Sequence, residues 1–391
     1  MTTPNRLTAY RNPNYYSADH EQFRDTVRAF ATREIAPHAN EWDEAGGFPR
    51  ELYRKASQAG LLGLGYPEEY GGTPCDIFYK LILSEELARG GAGGVCASLM
   101  SHTIGSPPIL AAGSAAMKQR VLPAVLAGDK ISALAITEPS GGSDVASLRT
   151  TAILEGDHYV VNGEKTFITS GMRADYYSVA VRTNPADRGA GGVSLLLIER
   201  DTPGFTRTEL KKMGWWASDT AELHFEDCRV PVGNVLGEVD QGFVTIMQNF
   251  ATERVFLAAQ CVAIAELAYR ESVAYARERM AFGKALSGFQ VTRHKLAEMA
   301  TRIAAARALT GEVVTRVLAG DMAATAMAAM AKNVATDMCS EVCDAAVQIH
   351  GGYGYMRGYL VERLYRDARL YPIGGGTREI MNEIISKLEG Y

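Results

Sequence analysis

Between Asp19 and His38 apolar residues recur at helical spacing, with Phe23, Val27 and Phe30 on one stripe, and the rhythm continues past Leu61, Leu81 and Leu87 to Leu126. The spacing predicts a helical first third. From about Lys130 the pattern shortens into β-rich runs separated by turns: HYVVNGEKTFIT, YYSVAVRT, GVSLLLIE, GFTRTEL and AELHFEDCRV. These predict an antiparallel β middle. Beyond Gly242 no strand pattern remains, and long Ala-, Leu- and Glu-rich helical segments run to the end, broken near Gly283, Gly320 and the glycines between Gly351 and Gly358. Helices, then strands, then helices predict an α+β chain with segregated layers and not an alternating βαβ sheet. The divisions fall at 1–129 (helical), 130–240 (β) and 241–391 (a helical bundle).

A length of 391 residues exceeds what one core fills, so several packed units are expected. The 47% hydrophobic and 22% charged content is that of an ordinary globular protein. Forty basic against 45 acidic residues, with no Lys/Arg-rich run, exclude nucleic-acid binding as the main function. Cys75, Cys96, Cys228, Cys261, Cys339 and Cys343 lack the paired spacing of a zinc site and read as free thiols, so no metal is expected. Cys339 and Cys343 lie one helical turn apart, which suits a metal or the buried face of a helix; the second reading is taken. The opening MTTPNRLTAY has no apolar signal core, which points to the cytoplasm. The stretch from Gly90 to Met117 carries no Asp, Glu, Lys or Arg, but its glycines, serines and Pro107-Pro108 predict buried helices and a turn and not a membrane span.

Three segments carry candidate chemistry. Ala135 to Asp144 (AITEPSGGSD) leaves an apolar strand into a turn whose hydroxyls and backbone N–H groups suit a polar ligand, although an ordinary Pro/Gly turn explains it equally well. Phe167 to Gly171 (FITSG) offers an aromatic face and a hydroxyl. Gln348 to Gly354 (QIHGGYG) breaks a helical pattern with three glycines, and with no strand before it a Rossmann dinucleotide loop is excluded.

Taken together and in this order, the three segments resemble the acyl-CoA dehydrogenase family, with its TEPxxGSD loop, its K-x-[WF]-I-[TS]-[NS]-G strand and its QxxGGxG segment. The resemblance runs through FRDTVRAFATREIAPHANEWD, GLLGLGYPEEYGG, KMGWWASDTAELHFEDCRVP, RMAFGKALSGFQ and GGGTREIMNEIISK. It implies a helical, β, four-helix-bundle architecture, FAD as cofactor, an acyl-CoA substrate, a homotetramer built as a dimer of dimers, and an electron-transferring flavoprotein as electron acceptor. Leu134, Ile136, Thr137, Gly142, Ser143, Phe167, Ile168 and Thr169 would contact the flavin and pyrophosphate from the same subunit. Arg279, Phe282, Phe289, Gln290, Gln348, Gly351 and Gly352 would reach the adenosine and diphosphate of a neighbouring subunit's cofactor, and Thr377 and Glu379 are also implied to touch FAD. Arg279 reads independently as a solvated charge, though a guanidinium suits a diphosphate. Substrate contacts fall to Ser143, Phe250, Arg254 and Gly376, with the pocket lined near Leu99 to Ile104.

The family removes an α-proton with a carboxylate while the β-hydrogen leaves as hydride. Many members place that glutamate near the C-terminus, where this chain has Gly375 instead. Long-chain and isovaleryl-type members carry it on the helix after the β domain, and Glu253-Arg254 matches there. The helix supports the match, because Ile246, Phe250, Leu257, Cys261 and Ile264 form an apolar stripe that includes Glu253. On the stripe alone, a buried Glu paired with arginine for structure is an equal alternative. The resemblance also gives the Gly375 N–H an oxyanion role, which glycine retains. It implies oxidation of an acyl-CoA to the trans-2,3-enoyl-CoA, with Phe167 and GGGTREIM pointing to long-chain or branched, terpenoid-like (citronellyl-like) acyl groups. An acyl-CoA oxidase using oxygen and a non-catalytic flavin-binding protein are the alternatives; the short chain disfavours the first and Glu253 the second.

Overall fold

The computed structural model describes residues 15–187 and 189–391, with the backbone alone at 248–252. Among the described residues eight α-helices precede the sheet: α1 (Ala18–Phe30), α2 (Ala39–Ala45), α3 (Glu51–Gln58), α4 (Ile77–Ala88), α5 (Gly93–Leu99), α6 (His102–Gly105), α7 (Pro107–Ala112) and α8 (Ala115–Leu126). Local chemistry sets their ends. The Ser17 side chain caps α1 and His20 returns the bond, Asp76 Oδ1 accepts the Phe78 N–H at 2.8 Å to start α4, and Ser114 caps α8. Gly46 ends α2 in the left-handed region at φ 71°. Val27 and Phe30 are buried as the stripe predicts, and the uncharged Gly90 to Met117 segment forms α5, α6 and α7. Among the described residues no helix is long and apolar enough to cross a membrane.

The sheet comprises β1 (Ser132–Ala135), β2 (Thr151–Glu155), β3 (His158–Thr169), β4 (Tyr176–Arg182), β5 (Val193–Glu199), β6 (Phe205–Glu209) and β7 (Thr220–Pro231). Its order is β1-β4-β2-β3-β7-β6, with β5 paired to β4. The expectation of a purely antiparallel sheet is corrected here, because β1 and β2 both pair with β4 in parallel. The β2–β3 hairpin lies between β1 and β4 in the chain, so the chain returns to β4 in the direction it left β1. β2 escaped the pattern because it is short and largely exposed, with Ile153 and Leu154 facing out.

Five helices follow: α9 (Gly242–Glu278), α10 (Gln290–Leu318), α11 (Ala324–His350), α12 (Leu360–Ala368) and α13 (Arg378–Glu389). α9, α10 and α11 pack on one another and α13 packs on α11. The strand-free expectation misses only β8 (Met280–Ala281) and β9 (Lys284–Ala285), a hairpin whose turn residues Phe282 and Gly283 both have positive φ. Cys261, Cys339 and Cys343 are buried and free, in keeping with the helix-face reading.

Buried charge ties the layers together. Asp367 on α12 accepts the Trp215 N–H at 2.6 Å and the Gly93 N–H at 3.2 Å, linking the C-terminal helices to a sheet loop and to α5. Burial pushes its carboxyl up to about 6. Between α1, α4, α9 and α10, Arg24 binds Glu85 and Glu86, while Arg89 and Arg307 both bind Glu266, which has no exposed surface. Removing one partner strands buried charge. Glu266→Ala is expected to cost about 3–5 kcal/mol in denaturant unfolding of the purified protein. A loss of less than about 1 kcal/mol would show that the arginines find other compensation.

Candidate active site

The first two predicted segments meet where the end of β3 approaches the chain leaving β1, tied from beneath. Lys165, fully buried on β3, donates to Glu138 Oε1 at 2.7 Å and to the Ile136 carbonyl at 3.1 Å. Glu138 also accepts the Arg149 N–H at 2.6 Å and the Thr150 N–H at 2.9 Å, and the Thr166 N–H reaches the Thr137 carbonyl at 2.8 Å. Burial opposes charge on Glu138, yet the Lys165 ammonium and these amides hold its carboxyl below the usual range. Burial pushes Lys165 down to about 8 against the attraction of Glu138. The glutamate of TEPSGGSD therefore points inward as a pin, leaving Gly142 and Ser143 exposed at the loop tip and Leu134, Ile136 and Thr137 at its base.

On β3 the ladder to β7 slips between Lys165 and Ile168, and Phe167 sits in the slip at φ 60° with 68% of its surface exposed. A non-glycine aromatic in left-handed backbone is strained, and such strain persists where surrounding structure holds it. Ile168 is buried and Thr169 half-buried, so Phe167 alone presents its side chain to solvent there.

The second element is a seam between α9, α11 and the loop before α13. Ile246, Cys261 and Ile264 are buried and Leu257 is half-buried, as the stripe predicts; the Phe250 side chain lies outside the described residues. Burial pushes the Glu253 carboxyl up to about 7, with Lys332 and Arg254 pulling the other way. Among the described residues no cation comes within ion-pairing distance of that carboxylate. The structural alternative, a glutamate paired with its neighbouring arginine, is absent, and Arg254 itself buries an Nε without a partner.

Gly375 completes the seam. Its φ is 66°, and a Cβ there would lie 2.6 Å from Leu257 Cδ1 and 4.0 Å from Glu253 Oε1. A side chain at 375 would therefore enter the space that Glu253 faces. Among the described residues no backbone acceptor takes the Gly375 N–H. Gly376, at φ 94°, offers its carbonyl to Lys332 Nζ, and Thr377 caps α13 while Glu379 lies exposed in its first turn. Sequence reasoning passed over Lys332 and the Glu138–Lys165 pair. A lone cation in the Ala-rich run AMAAMAKNVA was the available signal for the first.

The remaining predicted residues gather elsewhere. Arg279, His350, Gly351, Gly352 and Tyr353 line an open cleft of about 560 Å³. The Arg279 guanidinium lies 5.8 Å from the Tyr353 ring centre, and both glycines would meet nothing within 4 Å if given a Cβ. Phe282, 97% exposed, pairs edge-on with Phe289 at 6.3 Å, and Gln290 and Gln348 are exposed. Glu253 lies near the start of α9 and Arg279 follows its last residue. At 1.5 Å per residue that separation is roughly 39 Å, so one chain does not bring the cleft to the seam.

Family models for the acyl-CoA dehydrogenase N-terminal, middle and C-terminal domains match residues 17–129, 133–228 and 240–388. The chain is 40% identical to the mitochondrial long-chain specific acyl-CoA dehydrogenase of Sus scrofa, over 98% of this chain and 89% of that one. It is 41% identical to an acyl-CoA dehydrogenase of Bacillus subtilis, over 93% and 96% of the two chains. Among solved structures, a probable acyl-CoA dehydrogenase from Mycobacterium abscessus superposes with a TM-score of 0.93 at 48% identity, covering 96% of this chain and all of that one.

The buried pin yields a prediction independent of any ligand. Lys165→Met leaves the Glu138 carboxylate without its cation, at a cost of about 3 kcal/mol. Amide exchange across residues 137–150 should then quicken roughly a hundredfold while α10 and α11 keep their protection. Unchanged exchange in that loop would remove the pin from the account.

Proposed function

We infer the chemistry of this site from one premise: the chain belongs to the acyl-CoA dehydrogenase family. It is an FAD-dependent oxidoreductase that converts an acyl-CoA to the enoyl-CoA. The residues present fit the cofactor. Phe167, held exposed in strained backbone, offers a face for a planar ring, and the open glycines beside the Arg279 guanidinium suit a diphosphate. FAD, when bound, supplies the acceptor for the β-hydrogen as hydride. Leu134, Ile136, Thr137, Gly142, Ser143, Phe167, Ile168 and Thr169 are proposed to hold its flavin end, with Thr377 and Glu379 near it.

Glu253 is the base. The α C–H bond of the thioester breaks, the proton passes to the Glu253 carboxylate, and the electron pair moves toward the thioester oxygen. A carboxyl raised toward 7 is well matched to this transfer, because its carboxylate is a stronger base than an ordinary glutamate yet is still substantially ionised at neutral pH. Desolvation makes the carboxylate basic, and a glycine at 375 leaves the facing space to substrate. The Gly375 N–H is the chain's own donor to the developing oxyanion. Ser143, Phe250, Arg254 and Gly376 complete the substrate contacts.

The roughly 39 Å along α9 supports a second copy supplying Arg279, Phe282, Phe289, Gln290, Gln348, Gly351 and Gly352 to each cofactor. A homotetramer of two such dimers is proposed, working in the cytoplasm with an electron-transferring flavoprotein as acceptor. The carboxylate on α9 and the absence of a side chain at Gly375 favour long-chain or branched acyl groups, which a panel of straight and branched acyl-CoAs tests directly.

Glu253→Gln should lower the rate at which acyl-CoA bleaches the flavin anaerobically by about 10²–10⁴-fold while FAD stays bound. Near-normal bleaching in this variant would refute the base assignment. In the wild type the rate should rise with pH through about 7, since the base acts only when ionised. A limb near the ordinary glutamate value would show that the carboxylate is not desolvated during turnover.

A further inference from the structure

We propose that Lys332 is a positioning residue for proton abstraction: its ammonium binds the Gly376 carbonyl and so holds the glycine loop against the Glu253 carboxylate. The inference rests on Glu253 being the base. Lys332 stands on α11 among the buried alanines Ala328, Ala329, Ala331 and Ala335, and only 1% of its surface is exposed. A lysine that merely packed its stem would send its charged end to water. This one turns its end inward, to the carbonyl of Gly376. Its Cε lies 3.8 Å from where a Cβ at Gly375 would sit, and Glu253 Oε1 lies 4.0 Å from the same point. Cation, carboxylate and the residue bearing the oxyanion donor thus surround one small volume.

Two consequences follow. The hydrogen bond fixes the Gly376 carbonyl, one residue beyond Gly375, and so limits the positions that the glycine loop can take. The positive charge also favours ionised Glu253 and restrains the rise that burial causes. The other groups facing this seam are few. Arg254 and Cys261 come from α9; on α11, the free Cys339 thiol lies in hydrogen-bonding contact with that of Cys261 and Asp337 is paired with Arg378 of α13; Tyr371 precedes the loop. Burial pushes Lys332 down to about 8, so it still carries its proton at neutral pH.

The test is the pH dependence of anaerobic flavin bleaching by acyl-CoA in the holoenzyme, for Lys332→Gln, Lys332→Met and Lys332→Arg. Gln keeps a donor for Gly376 but loses the charge, Met loses both, and Arg keeps the charge. With FAD bound, Gln and Met should move the ascending limb up by about one unit, Met should also lower the plateau on the order of tenfold, and Arg should hold the limb in place. In the FAD-bound protein, a limb at its wild-type position in both Lys332→Gln and Lys332→Met together with a wild-type plateau in Lys332→Met overturns the proposal. The two readings fail separately. Glu253→Gln that still bleaches overturns the base, whereas inert Glu253→Gln beside a wild-type limb and plateau in Lys332→Met overturns the role of Lys332 alone.

Discussion

Among the described residues the Glu253 carboxylate has no ion pair, and the rest of the site is arranged around its desolvation. α9 carries the carboxylate from the sheet into the bundle, where Gly242 touches the β5 backbone so closely that a Cβ would lie 2.6 Å from the Ser194 carbonyl carbon. The opposite wall must then be bare. Leu257 already fills the space beside Gly375, and the loop turns there in left-handed backbone, so a side chain at 375 meets both a clash and strain. The carboxylate and the glycine that faces it are two aspects of one packing solution.

Holding such a group requires rigidity, and buried charge provides much of it. Glu138 and Lys165 pin the loop that exposes Ser143, Asp367 joins the sheet to both helical regions, and the arginine–glutamate cluster around Glu266 locks α4 to α9 and α10. Removing one partner from the Glu138–Lys165 pair or from the arginine–glutamate cluster leaves a stranded charge at far greater cost than breaking a surface pair. Glu253 differs from them in kind. Among the described residues its carboxylate has no ion pair, and burial raises its readiness to take a proton.

How much of this was legible depended on distance along the chain. The apolar stripe from Ile246 to Ile264 announced that Glu253 faces inward, and periodicity located β3 to β7 and the three long helices, because these signals are local. β2 was missed for want of a buried face, and the parallel pairing of β1 with β4 because register is decided by which strands become neighbours. Lys165 and Glu138 stand 27 residues apart, and Arg307 and Glu85 stand 222 apart, so neither partnership leaves a local trace. Glycine at 375 was visible as a departure from a pattern, but its meaning came only when Leu257 and Glu253 were seen across from it. Lys332 needed both helices and the loop in place.

The central claim, that Glu253 alone removes the α-proton, is tested most directly by isolating that step. With the flavin reduced beforehand, hydride transfer is blocked, and incorporation of deuterium at the acyl α-carbon from D₂O reports the base by itself. The account predicts exchange in the wild-type holoenzyme and none above background in Glu253→Gln with FAD retained. Exchange continuing at the wild-type rate in that variant would contradict it.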